Sequence, residues 1–120
     1  LALLLLALVL LAHPALAGDD NTGKEIDHLL RHVAQSGCTF TRNGDTHDAA
    51  AAADHLRLKY ARGGRWVGSA EQFIDRLASS SSWTDRPYTI TCNGKTENTG
   101  PWLHRALDAH RAAPADTPPD

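Results

Sequence analysis

The stretch from Cys38 to Lys59, CTFTRNGDTHDAAAAADHLRLK, decides how this chain folds. Cys38, Phe40 and Arg42 alternate with Thr39 and Thr41, the two-residue period of a strand with one buried face. Asn43-Gly44 is a strong turn signal, because both residues accept positive φ. The alanine-rich run then predicts a helix from about Asp48 to Arg62, capped by Asp45 or Thr46 and stopped at Gly63-Gly64. Its inner stripe is Ala49, Ala52, Ala53, Leu56 and Tyr60. Ala51 and Leu58 form a second apolar line, which predicts cover on two faces. Asp48, His55 and Lys59 fall on the flank between, within about 40° of one another at a helical turn of about 100° per residue.

Upstream, Thr22-Gly23-Lys24-Glu25 has the form of a capping box, and Ile26, Leu29, Leu30 and Val33 follow at helical spacing until Gly37. Downstream, Arg65 to Gly68 link to a third helix. Ser69-x-x-Gln72 opens it, and Ala70, Phe73, Ile74, Leu77 and Ala78 supply its buried face. Ser79 to Ser82 end that helix, since serine hydroxyls compete for backbone hydrogen bonds. Tyr88 to Cys92 repeat the alternation of a strand, Asn93-Gly94 turns, and Thr99-Gly100-Pro101 opens a last helix with Trp102, Leu103, Ala106 and Leu107 inward. No internal repeat is read.

The opening LALLLLALVLLAHPALA reads as a secretory leader ending at Ala15-Leu16-Ala17, without the charged start and Met that normally precede such a core. Its apolar run ends at His13, short of a membrane span, so no span is expected once the leader is removed. The expected layout is a leader over 1–17, a flexible lead-in over 18–23, one domain over 24–111 and a solvated tail over 112–120. A net charge of −2 in 120 residues, with no basic block, argues against nucleic acid as a partner. In an oxidising compartment the lone pair Cys38 and Cys92 is most simply a disulfide, closing a loop whose loss of chain entropy stabilises the fold by roughly 4 kcal/mol. The alternative is two buried thiols.

Together these signals predict an α+β fold, mostly helical, ordered α-β-α-α-β-α. Two antiparallel strands stapled by one disulfide form a minimal sheet that four helices must cover.

Several blocks also stand in a telling order: Cys38-x-Phe40-x-Arg42-Asn43-Gly44-Asp45-x-His47, His55-Leu56-Arg57-x-Lys59, Ser69 to Ile74, Ala78 to Ser82, and Pro87-Tyr88. In these the chain resembles the YfeK-like family of small exported bacterial proteins of unknown function, over nearly all of the region after the leader. The resemblance implies a periplasmic protein and supplies no activity.

The chemistry-bearing residues gather at the strand-helix corner. Arg42, Asn43 and His47 precede a helix N-terminus, where free N–H groups favour an anion, and Asp48, His55 and Lys59 flank the same helix. A binding module would hold a carboxylate or phosphate in the planar fork of Arg42, with His47 adding pH dependence; a peptide terminus or an envelope component fits. The structural alternative pairs Arg42 with Asp48 and uses both histidines to fix the corner. An enzyme reading, a small envelope hydrolase, takes His47 or His55 as base, Asp48 as its orienting acid and one of Ser79, Ser80, Ser81 or Ser82 as nucleophile; no G-x-S-x-G elbow accompanies them. An interaction protein would dock through Trp66 or Trp83. His28 and His32 are spaced to form one edge of a zinc site, yet no HExxH or CxxC joins them, so they read as solvated and no metal or cofactor is expected.

Overall fold

The computed structural model describes the backbone of residues 17–114 and the side chains of 21–114. The expected leader, except Ala17, and the tail beyond 114 lie outside the described residues.

Helix α1 spans Ala17–Gln35 and buries Ile26, Leu29, Leu30 and Val33, the stripe its periodicity predicts. It starts before the Thr22 capping box, so the stretch 18–23 is helical backbone and not a flexible lead-in. Once nucleated, a helix adds residues cheaply, and Thr22 instead donates its hydroxyl to the Gly68 carbonyl at 3.5 Å.

Both Asn-Gly turns are hairpins, and this enlarges the expected sheet. Strand β1 (Thr39–Arg42) turns through Asn43 at φ 50° and Gly44 at φ 83° into β2 (Asp45–His47). Strand β3 (Thr89–Cys92) turns through Asn93 at φ 52° and Gly94 at φ 79° into β4 (Lys95–Asn98). Two successive positive φ values match the right-handed twist of paired strands, which is why Asn-Gly is favoured there. The antiparallel sheet therefore has four strands, ordered β2-β1-β3-β4. Asp45 and Thr46 lie in β2 and do not cap α2 (Ala49–Gly63); Asp48 does, accepting from the Ala51 N–H at 2.8 Å.

The central pair β1 and β3 matches Thr39 with Thr91, Phe40 with Ile90 and Thr41 with Thr89. In the two hairpins Thr89 is the counterpart of Thr39, Ile90 of Phe40 and Thr91 of Thr41. The segments TFTRNGDTHDA, 39–49, and TITCNGKTENT, 89–99, thus form a repeat of hairpin and helix start, related by a local two-fold through Phe40 and Ile90. Only the threonines and Asn-Gly are shared, which is why no repeat was legible along the chain. At one end of the ladder, in the next register step, Cys38 and Cys92 form a disulfide across a Cα separation of 4.8 Å. The equivalent step at the other end faces Arg42 with Tyr88. One end is sewn shut; the other carries polar side chains.

Helix α3 (Ala70–Phe73) passes into a π-helical turn over Ile74–Ala78, and Ser79 ends it by donating to the Ile74 carbonyl at 2.7 Å. Helix α4 (Thr99–Ala112) completes the cover over the sheet face that carries Phe40 and Ile90. A Cβ on Gly100 would lie 2.6 Å from Ser79 Oγ, so only glycine lets α4 start that close to the serine run. Helix α2 is covered on one face only: Ala53 and Leu56 are buried while Leu58 is 47% exposed. Beyond the expected core, Glu25 of α1 is buried and takes a two-bond fork from Arg111 of α4 at 2.7 and 3.0 Å, and Arg111 also reaches Glu71 of α3 at 2.6 Å.

Candidate functional site

Arg42 closes β1, Tyr88 precedes β3, and His55 and Lys59 stand one turn apart on α2, so three elements converge at the open end of the central ladder. Arg42 Nη1 lies 2.8 Å from the His55 ring nitrogens. His55 Nε2 is 3.3 Å from the Tyr88 hydroxyl. Lys59 Nζ donates to that hydroxyl at 3.0 Å and to the Ser80 carbonyl at 3.1 Å, with its charge 4.9 Å above the Tyr88 ring centre.

These bonds fix the protonation pattern. Arginine only donates, so His55 must accept and is neutral. Burial lowers its pKa to about 4, with Arg42 and Lys59 adding to the shift. Arg42 is in reach of either ring nitrogen, and the direction of the bond between His55 Nε2 and the Tyr88 hydroxyl follows from which of them accepts. Burial also takes Lys59 down to about 8, with Arg42 next in effect, and raises the Tyr88 phenol. The Tyr88 oxygen accepts from Lys59 and shares a second hydrogen bond with His55 Nε2. Neither Arg42 nor Lys59 is paired with a carboxylate among the described residues. Two half-buried cations, neither bonded to a carboxylate, form a cluster rich in donors.

A groove of about 730 Å³ opens over this cluster, walled by Arg62 and Leu58 of α2 on one side and by Ser81, Ser82 and Trp83 on the other. Among the described residues Asp45 is its one acidic lining residue. Against the same Arg42, His55 and Tyr88 lies a narrow apolar slot of about 40 Å³, walled by Phe40, Ala52 and Leu56. The loop carrying Trp83 is tied to the first hairpin turn. Asn43 Nδ2 donates to Ser81 Oγ at 3.1 Å, Thr84 Oγ1 donates to Asn43 Oδ1 at 2.7 Å, and the Ser80–Pro87 bridge closes the loop's base. Trp83 stands at its tip, 96% exposed.

Of the residues the sequence singled out, Arg42, Asn43, His55 and Lys59 meet at this groove. Asp48 does not: its carboxylate is taken up by the α2 cap, so it neither pairs with Arg42 nor orients an imidazole. His47, on the edge strand, lines the slot, and its buried Nε2 has no hydrogen-bond partner among the described residues. Among the described residues none of Ser79 to Ser82 bonds a histidine. Ser79 holds the Ile74 carbonyl, and Ser81 Oγ receives Asn43 and the Trp83 N–H. His28 and His32 lie on a row of rings, with His28 stacked 3.9 Å from His110 and His32 4.7 Å from Trp102. Among the described residues no group of three His, Cys, Asp or Glu side chains is placed to hold a metal ion. Trp66 is 60% exposed and lies under Arg65, at 4.2 Å, away from the groove. Tyr88 is the site residue that sequence reasoning missed. Its signal was the repeat, which makes it the counterpart of Cys38 and so the partner of Arg42.

Residues 20–111 match the sequence model of a family described as a "Family of unknown function (DUF5329)". The chain is also similar to the Uncharacterized protein YfeK of Salmonella typhimurium (strain LT2), with 48% identity over 64 residues, 52% of this chain and 53% of that protein. The aligned part thus spans about half the length of that curated relative. No solved structure matches.

Proposed function

Because the chain belongs to this DUF5329 family, whose description assigns no activity, we propose from its own geometry that it is a small non-catalytic binding module that recognises an anionic group. The anion lies in the groove against Arg42, Lys59 and Tyr88. The observation that carries this reading is the surplus of donors. Holding two cations together in a half-buried site with no carboxylate paired to either is unfavourable, and an incoming carboxylate or phosphate offsets that cost. Arg42 offers a planar fork and Lys59 a point charge, with the Tyr88 hydroxyl held at Lys59. Asn43 belongs to the site as the tie that holds the Trp83 loop over it.

The protein acts outside the cytoplasm in this reading, in the periplasm or secreted. The leader-like run over 1–17 and the Cys38–Cys92 disulfide support that placement. The partner is then a small anionic ligand or an anionic segment of an envelope protein.

The test is thermal stabilisation by a panel of simple anions (phosphate, acetate, N-acetylated amino acids) at low and at high salt. Stabilisation that falls with salt and disappears in Arg42→Gln and in Lys59→Met, both still folded, is expected. Stabilisation by none of the panel, or the same stabilisation in both variants, overturns the reading.

A further inference from the structure

We infer that the anion is the C-terminal carboxylate of a peptide ending in a small aliphatic residue, alanine or valine, whose side chain enters the slot beside Arg42. The inference rests on the anion reading above and adds to it the identity of what carries the charge.

Three observations lead there. The slot and the groove share Arg42, His55 and Tyr88, so a group held by those donors has its nearest substituent at the slot mouth. Phe40, Ala52 and Leu56 give the slot mainly apolar walls, with His47 and Thr99 also lining it, and its roughly 40 Å³ is about three times the space one water needs. A methyl or isopropyl group fits; an aromatic ring does not. Inorganic phosphate has no substituent to place there. The groove itself is far larger than one residue and runs on past Asn43 to Trp83 and Leu58, which gives length for further residues of a chain.

The charges exclude a free amino acid. Its ammonium would sit within one residue of Arg42 and Lys59, and like charges at that spacing repel in a half-buried site. An amide bond removes that charge while keeping the carboxylate. A peptide terminus is the source that keeps the acid and drops the amine.

The experiment is calorimetric titration of the oxidised protein with N-acetylated tripeptides ending in Gly, Ala, Val or Phe, each as free acid and as C-terminal amide, beside free alanine. The alanine acid should bind about fourfold more tightly than the glycine acid, the gain expected for one buried carbon, and the valine acid more tightly still. The phenylalanine acid should bind at least about tenfold more weakly than alanine, because the slot cannot take its ring. Amides and free alanine should not bind measurably. An Ala52→Val variant, which narrows the slot, should lose the preference for alanine over glycine while still binding the glycine acid. Should that variant fail to fold, the ligand series on the unaltered protein decides the question alone. Acids that bind alike whatever their last side chain, or free alanine that binds as well as the peptides, overturn this inference and leave the anion site standing. Acids that do not bind at all, while phosphate still stabilises the protein, overturn this inference alone; amides that match their acids, or acids and simple anions that all fail to bind, overturn the anion site with it.

Discussion

Lys59 is the side chain on which the electrostatics turn. Its pKa in the fold, about 8, lies below the ordinary value of 10.5 that holds in the unfolded chain, so below pH 8 the folded protein bears the full cost of a charged, half-buried ammonium. That cost disappears as pH rises from about 8 to 10.5. Stability should therefore increase between pH 7 and pH 9.5, by about 1 kcal/mol once solvent screening is allowed for, and Lys59→Met should remove the increase. Denaturant titrations at the two pH values measure it. His55 acts in the same sense at lower pH. Its folded pKa of about 4 lies below the ordinary 6.5, so stability falls as pH drops from 6.5 towards 4. Glu25 adds to acid sensitivity, because the Arg111 fork lowers its pKa and that stabilisation is lost as pH falls through the lowered value. A His55→Gln variant should flatten the pH 6.5 to 4 limb and leave the Glu25 limb in place.

Among the elements, helices α1, α2 and α4, the helix stop at Ser79 and the cysteine pair were legible, because long periodic stripes and lone cysteines are strong signals. Strands β2 and β4 were not. Asp45-Thr46-His47 and Lys95-Thr96-Glu97-Asn98 are edge strands of polar, mostly exposed residues, so no apolar alternation marks them. Turn chemistry alone announces them: each Asn-Gly demands a returning strand. Arg42, His55 and Lys59 could be grouped by helical arithmetic and strand order, whereas Tyr88 comes from the other half of the repeat and is brought in by sheet register. The Asn43 bridge has a consequence for the groove. Asn43→Ala should cost less than about 1.5 kcal/mol of global stability yet release the loop that carries Trp83, since Ser81 and Thr84 both lose their partner. Hydrogen exchange should be faster at the Trp83 and Asp85 amides, with β1 and β3 unchanged.

For the molecule as a whole, the sheet ladder explains why the disulfide and the groove coexist. Cys38 and Cys92 lock one end of the β1–β3 pair, and the locked register holds Arg42 opposite Tyr88 at the other. Reducing the bond should cost about 4 kcal/mol by the loop-closure argument, and the Cys38→Ser, Cys92→Ser protein should melt well below its parent. The two halves of the repeat also differ in a telling way. In the second hairpin unit the strand and helix join through Arg105 and Glu97, a paired cation and anion. In the first unit the equivalent positions are His55 and His47, unpaired with each other, and the cations beside them have no anion among the described residues. The ion pair that ties strand to helix in the second unit thus has no equivalent in the first.

The measurement closest to this claim is an NMR titration of the Lys59 side chain, alone and saturated with the N-acetylated alanine-terminated tripeptide. Lys59 should titrate near pH 8 in the free protein and move up towards 10.5 when the peptide carboxylate lies beside it. A Lys59 that titrates near 10.5 without ligand, or that does not shift when the peptide is bound, would contradict the account.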